Sequence, residues 1–206
     1  MRGSVGVCEG EVIAREFDGL RVYLGEISDP EACLGNPEVL RKATVAFQQV
    51  LRGVVAQVTP IPFPFPTLLE GEEVLGDYIQ EHKAAYCAAL QRLGNTVQYE
   101  LTGSWASDAE ANTAVPISGR EFQQRHQQTL TRVAALDAKL KTVTGNSVRE
   151  WKSRQDRKTY RWFALVERDE RERFLLLLRS AGPSEGVRLR LSGPWPPNEF
   201  TALEVK

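Results

Sequence analysis

The segment Val187-Arg188-Leu189-Arg190-Leu191-Ser192-Gly193-Pro194-Trp195-Pro196-Pro197-Asn198-Glu199-Phe200 decides how the C-terminal part of the chain folds. Its first five residues alternate apolar and basic side chains, as in a strand with one half-buried face and one positive, solvated face. Gly193 permits a turn, and the three prolines that follow lack backbone donors. The pattern therefore predicts that the strand ends at Gly193 and continues as a stiff, extended segment carrying Trp195 and Phe200.

Two interpretations of this segment stay open. In the first, it is a C-terminal strand with a proline-bounded cap, and Trp195 fills the core. In the second, it presents a rigid surface of aromatic and proline side chains to another chain. On the second interpretation the candidate partner-binding residues are Arg188, Arg190, Gly193, Pro194, Trp195, Pro196, Pro197 and Phe200.

A strand that runs into Ser-Gly-Pro-Trp-Pro-Pro, with Phe200 three residues after the last proline, resembles the C-terminal signature of the GvpL/GvpF family of gas vesicle proteins. The resemblance spans nearly the whole chain and is strongest from Tyr160 onward. Asn198 stands where the family usually has Tyr. In the segment 57–67, Pro64 and Pro66 replace a basic residue and a glycine, so roles tied to those residues do not carry over.

The resemblance implies a non-enzymatic protein with an accessory or minor structural role in gas vesicle formation. Its partners would be the small hydrophobic shell protein or other accessory proteins, and it would work in the cytoplasm and at the gas vesicle. The family's N-terminal domain is a modified ferredoxin-like fold, so the same fold is expected here. A ferredoxin-like regulatory or ligand-binding module unrelated to gas vesicles is the alternative.

The composition is that of a globular protein without a membrane span. Of 206 residues, 42% are hydrophobic and 26% charged, and no apolar run reaches the length of a transmembrane helix. The three cysteines, Cys8, Cys33 and Cys87, are odd in number and widely spaced. This favours reduced thiols that serve as packing residues in a cytoplasmic protein.

Charge is divided unevenly along the chain. Residues 1–117 carry 8 Lys/Arg against 16 Asp/Glu, whereas residues 118–206 carry 18 against 11. Such a division can attract copies of the chain head to tail or bring the basic half to an acidic partner, and it can also reflect two solvated surfaces. Nucleic acid is not expected as the partner, because the basic residues lack interleaved aromatics.

The N-terminal part shows the pattern of a ferredoxin-like domain over residues 1–103. A hairpin is predicted from strands at 12–14 and 20–24 joined through Asp18-Gly19, and helices are predicted from Asn36 and over 70–93. The segment 57–67 alternates prolines with apolar residues, which favours an edge strand over a polyproline-type groove ligand. With a further strand at 96–102, the order is β, β, α, β, α, β.

A polar stretch at 104–117 predicts a linker, followed by an α+β domain over residues 118–206. This domain is expected to contain a long amphipathic helix to about residue 143, strands at 147–152 and 160–166, a helix at 168–179 and the C-terminal strand. The fold class is therefore α+β, with a ferredoxin-like domain first.

The sequence shows no pattern that indicates catalysis. His82 and His126 lie on the apolar stripes of two helices, which favours hydrogen-bonded core histidines over metal ligands. There is no nucleophile elbow and no glycine-rich phosphate loop. The adjacent acids Glu72-Glu73 and Asp169-Glu170 fall at predicted helix starts, where the helix dipole favours negative charge. We therefore expect no enzyme, no cofactor and no metal.

Overall fold

The computed structural model describes residues 10–105, 119–156, 159–182 and 187–201 of a mixed α/β protein with two sheets. The chain divides into two compact units, one of residues 1–94 with 196–206 and one of residues 95–195. This division differs from the expected domains 1–103 and 118–206. Most of the expected linker, residues 106–117, lies outside the described residues.

The first unit begins with the predicted hairpin. Strands β1 and β2 pair antiparallel from Val12 opposite Gly25 to Phe17 opposite Leu20. The turn between them is Asp18-Gly19, and both residues have positive φ, as a tight two-residue hairpin turn requires. Its elements are β1 Val12–Phe17, β2 Leu20–Gly25, α1 Pro30–Gly35, α2 Pro37–Val55 and α3 Glu72–Leu93.

Side-chain caps begin the first two helices. The Oδ1 atom of Asn36 accepts hydrogen bonds from the backbone N–H of Glu38 at 2.9 Å and of Val39 at 3.4 Å, so α2 begins where the sequence predicted. At the start of α1, the Oδ1 atom of Asp29 accepts a hydrogen bond from the backbone N–H of Ala32 at 2.9 Å. The short α1 was not predicted, because the pair Asp29-Pro30 is ambiguous. Asp-Pro occurs in turns, and it also occurs at helix starts, with Asp as the N-cap and Pro as the first helical residue.

The proline-rich segment 57–67 is not a strand, so the prediction of an edge strand is wrong. Alternate prolines leave too few backbone donors for a ladder. The apolar residues between them do face a core. The ring of Phe65 lies 5.0 Å from that of Phe47, and the ring of Phe63 lies 5.8 Å from that of Tyr78. Tyr78 belongs to a core cluster whose buried members are Leu75, Ile79 and Tyr86.

The second unit holds a four-stranded antiparallel sheet in the order β4-β5-β3-β6. Its element order is β-α-β-β-α-β, and the two strands of each β-α-β pair are separated by a third strand, which is the split βαβ arrangement of ferredoxin-like folds. Its elements are β3 Thr96–Trp105, α4 Gly119–Thr144, β4 Glu150–Asp156, β5 Thr159–Glu167, α5 Arg171–Ser180 and β6 Val187–Trp195.

The prediction of a ferredoxin-like sheet within residues 1–103 is therefore wrong. Strands β1 and β2 form a sheet of their own, and β3 pairs with the C-terminal strands. The physical reason lies in β3 itself, since Thr96, Val97, Gln98 and Tyr99 are all buried. A strand buried on both faces belongs in the interior of a larger sheet, with a partner strand on each side.

One face of this sheet packs against the helices. The ring of Tyr99 on β3 lies 5.1 Å from that of Phe174 on α5, and the Nε1 of Trp151 on β4 donates to Asp137 Oδ1 on α4 at 2.9 Å. Among the described side chains of α4, the buried ones are Leu136, Leu140 and Thr144, all in its C-terminal half. The described part of the apolar stripe expected along α4 is thus buried only there.

His126 is exposed, so the prediction of a core histidine at this position is wrong. It lies in the N-terminal half of α4, where every described side chain from Gly119 to Gln128 is exposed. Within the described residues, no helix combines the length and the apolar character needed to cross a membrane.

We expect Phe174→Ala to lower the free energy of unfolding by about 3–5 kcal/mol, because it removes a fully buried ring from between α5 and the sheet. The matched control is Leu176→Ala on the same helix, whose side chain is 64% exposed and whose removal should cost less than about 0.5 kcal/mol. Urea denaturation of the full chain measures both. Equal losses for the two variants would contradict this packing.

Candidate partner-binding segment

Among the strands that the structure describes, β6 lies at an edge of the sheet and pairs only with β3. Ser192 is opposite Glu100 and Trp195 is opposite Gln98, so two residues of β6, Gly193 and Pro194, face the single residue between them on β3. This is a β-bulge. The strand continues through it to Trp195, and the prediction that it ends at Gly193 is wrong. An edge position tolerates Pro194, because its missing donor need not face a partner strand.

Gly193 lies in contact with β3 through the bulge. Its φ is +126°, a conformation that side-chain-bearing residues rarely adopt. A Cβ atom added there would lie 2.9 Å from the carbonyl oxygen of Gln98 and 3.0 Å from Cδ1 of Tyr99. The close approach of β6 to β3 therefore requires glycine at this position.

Trp195 ends the strand with its ring half-buried. Its Nε1 donates to the Oγ of Ser192 at 3.2 Å, which fixes the orientation of the indole. Part of Trp195 is therefore accessible, and its role as a partner contact stays a prediction.

Beyond Trp195, the chain is anchored in the first unit. Pro196 and Pro197 are buried, and a single 3₁₀ turn, Asn198–Phe200, follows them. Phe200 is 1% exposed, and its carbonyl oxygen accepts a hydrogen bond from the Nη2 of Arg92 on α3. Its own N–H donates to the carbonyl of Pro197 at 3.0 Å. These contacts fit the structural interpretation for the end of the segment.

The eight candidate residues therefore differ in accessibility. Arg188, Arg190 and Gly193 are exposed, and Pro194 and Trp195 are half-buried. The other three, Pro196, Pro197 and Phe200, are buried. A partner would meet β6 and its bulge first, while the buried residues hold the segment in place. Partner binding by these residues stays a prediction.

An aromatic cluster on α3 surrounds the other histidine. His82 is half-buried, its Nδ1 lies 3.0 Å from the carbonyl oxygen of Tyr78, and its ring stacks on the Tyr78 ring at 4.4 Å. The Tyr78 and Tyr86 hydroxyl oxygens are 3.3 Å apart. Burial, and next the hydrogen bond with Tyr78, raise the pKa of Tyr86 well above its usual value. These contacts give His82 the structural role that the sequence predicted.

The remaining residues singled out in the sequence are the adjacent acids and the cysteines. Glu72 and Glu73 lie in the first turn of α3, as predicted, and Glu72 forms an ion pair with Arg15 at 2.7 Å. Cys87 is exposed on α3, so its predicted packing role is wrong, whereas Cys8 and the side chain of Cys33 lie outside the described residues. In the part of the chain that the structure describes, no three His, Cys, Asp or Glu residues form a potential metal site.

Comparison with known proteins identifies a family and related solved structures. The model of the family "Gas vesicle synthesis protein GvpL/GvpF" matches residues 1–202. No curated protein matches the chain. The fold is similar to that of the gas vesicle protein GvpF from Microcystis aeruginosa, with a TM-score of 0.72 and 14% identity over 96% of this chain and 91% of that one. GvpF from Anabaena sp. PCC7120 gives a TM-score of 0.63 and 16% identity over 96% and 88%.

We expect Gly193→Ala to lower the free energy of unfolding by about 2–5 kcal/mol, because it combines an unfavourable φ with contact between the new Cβ and β3. Gly182→Ala is the matched control, since Gly182 also has positive φ but no atom within 4 Å of the added Cβ. It should cost only about 1 kcal/mol. Chemical denaturation of both variants checks the difference, and a tolerated Gly193→Ala would contradict the close approach.

The raised pKa of Tyr86 predicts a loss of stability at alkaline pH. Above about pH 10 the unfolded chain releases this phenolic proton while the folded chain retains it, so unfolding becomes more favourable as the pH rises. Tyr86→Phe should reduce the loss between about pH 8 and pH 11, measured by urea denaturation. The same loss in the wild-type chain and in Tyr86→Phe would contradict the prediction.

Proposed function

The chain belongs to the GvpL/GvpF family of gas vesicle synthesis proteins, and on this basis we propose that it is an accessory or minor structural protein of gas vesicle assembly. It acts without catalysis, by contact with the shell protein or with other accessory proteins, in the cytoplasm and at the growing vesicle. The observation that carries this proposal is the family match, which extends over residues 1–202.

The accessible part of the C-terminal segment is the proposed contact surface. Arg188 and Arg190 project from an edge strand, and the half-buried ring of Trp195 lies at the end of the same strand. Tryptophan and arginine are among the residues that contribute most to protein interfaces. Pro196, Pro197 and Phe200 hold this surface in place from the buried side.

Exposed apolar side chains in the first unit support a role in escorting hydrophobic subunits. Leu68, Leu69 and Val74 are 45%, 41% and 46% exposed and lie within seven residues of one another in the sequence. Apolar side chains exposed close together are typical of surfaces that bind another protein. We propose that they shield apolar surface of a shell subunit before it is added to the vesicle.

Deletion of the gene from an otherwise complete gas vesicle cluster tests the proposed function. We expect intact vesicles to disappear from electron micrographs, and re-expression of the wild-type chain to restore them. If vesicles form in normal number and shape without the gene and without a paralogue, the assembly role is wrong. The regulatory or ligand-binding module would then be the better hypothesis.

Re-expression of Trp195→Ala in the same deletion strain tests the contact surface separately. The variant should fold, because the ring is only half-buried, yet restore fewer vesicles and bind the shell protein more weakly in a pull-down. Trp195→Phe, which retains an aromatic ring, is the control. Full restoration by Trp195→Ala would leave the assembly role intact and show that Trp195 serves only the fold.

A further inference from the structure

The sheet of the second unit has a face opposite its helices. Trp151 on β4 and Tyr99 on β3 contact the helices, and both are paired with Ala164 of the β5 strand that lies between them. Because successive side chains of a strand point to opposite faces, the residues next to these three lie on the other face. On that face, one line of residues across the four strands consists of Lys152, Phe163, Glu100 and Ser192.

Two positions further along, the same face carries three arginines in one line. Arg154 on β4 is opposite Arg161 on β5, Arg161 is opposite Thr102 on β3, and Thr102 is opposite Arg190 on β6. We call Arg154, Arg161 and Arg190 the arginine row. With neighbouring strands about 4.8 Å apart, the row extends about 14 Å across the sheet.

The row is basic, and Arg161 in its middle is paired with an acid. Arg154 and Arg161 are directly opposed, which costs stability in a sheet. Glu100 lies 3.3 Å from the Nε of Arg161, and the guanidinium of Arg154 lies over the ring of Phe163, 5.5 Å from its centroid. Arg154 and Arg190 are exposed. Lys152 and Arg188 lie on the same face, so among the described side chains five basic ones stand there against three acidic ones, those of Glu100, Glu150 and Glu167.

A matching line of acids lies on α3. Glu73, Asp77 and Glu81 are spaced four residues apart and are all exposed, on the side of the helix away from buried Leu75 and Ile79. We call these three residues the acidic stripe. At 1.5 Å per residue, it extends about 12 Å, close to the length of the arginine row. Like charges at this spacing repel one another, so the stripe also carries charge that a partner could neutralise.

We propose that the arginine row of one copy of the protein binds the acidic stripe of a second copy. The two surfaces are opposite in sign, and they match in number of charged residues and in length. The whole units are also opposite in charge: residues 1–94 and 196–206 carry 9 Lys/Arg against 15 Asp/Glu, and residues 95–195 carry 17 against 12. Opposite surfaces of this kind steer association and set its register.

A nucleic acid fits the arginine row less well. Binding of single strands needs exposed rings on which bases stack. On this face the described aromatic residues are Phe163, which is 2% exposed, and Trp195, which is half-buried and bonded to Ser192. An acidic protein surface needs only the guanidinium groups, which form charge-assisted hydrogen bonds with carboxylates.

Copies joined by this contact form either a closed pair, in which the row of each copy meets the stripe of the other, or a series of copies. Because exposed charges carry the contact, its affinity should fall steeply with salt. Self-association through these surfaces does not depend on a role in gas vesicle assembly.

Sedimentation velocity of the full chain and of two charge-reversed variants tests the contact. The first variant is Arg154→Glu with Arg190→Glu, and the second is Glu73→Lys with Asp77→Lys. The matched control for the first is Arg132→Glu with Arg179→Glu, which makes the same charge change at exposed positions on α4 and α5. Circular dichroism and thermal unfolding verify that each variant is folded.

We expect the wild-type chain to associate at about 50 mM salt and to dissociate at about 0.5 M. Each reversed variant alone should associate at least about tenfold more weakly, while the control retains wild-type behaviour. An equimolar mixture of the two reversed variants should associate again, because the acidic row of one meets the basic stripe of the other. This recovery cannot come from variants that failed to fold.

Three results would overturn the proposal. The wild-type chain could remain a monomer at low salt, the variants could associate as the wild type does, or the mixture could fail to recover. If the chain is monomeric but binds a single-stranded oligonucleotide at low salt, and Arg154→Glu with Arg190→Glu abolishes that binding, the arginine row serves nucleic acid instead.

Discussion

The pairing of β3 with strands on both its sides is the constraint on which the second unit depends. β3 pairs with β5 from Thr96 to Gly103 and with β6 from Gln98 to Trp105. Its N-terminal half is buried on both faces, so its backbone groups have no access to water and need strand partners. This requirement separates β3 from the β1–β2 hairpin and joins it to strands that follow it by more than fifty residues.

The contact between β6 and β3 determines how the C-terminal segment is presented. Gly193 allows β6 to approach the backbone of Gln98 while the strand bulges, and the bulge ends at the half-buried Trp195. The residues that follow are buried and held by Arg92. A segment held at both ends in this way loses little backbone conformational entropy on binding, which favours the proposed contact.

The distribution of charge follows from the same architecture. In β6, alternation places Val187 and Leu189 towards the helices and Arg188 and Arg190 on the other face. Charged residues on an edge strand also hinder unspecific pairing with other strands. On α3 the buried side chains occupy one side and the acids the other. Folding thus assembles, from separate strands and from one helix, two lines of opposite charge that the sequence shows only as an imbalance between its halves.

The sequence by itself determined the local structure. Asp18-Gly19 specified the hairpin turn and Asn36 the start of α2, because these signals act through the backbone of adjacent residues. The motif around Trp195 also led to the GvpL/GvpF family, which the match over residues 1–202 then showed. Tertiary structure alone decided that β3 joins the C-terminal sheet, that β6 continues through Pro194 and that Arg154, Arg161 and Arg190 form one row. These features depend on pairing between distant segments, and the period-two pattern of a strand specifies its faces but not its neighbours.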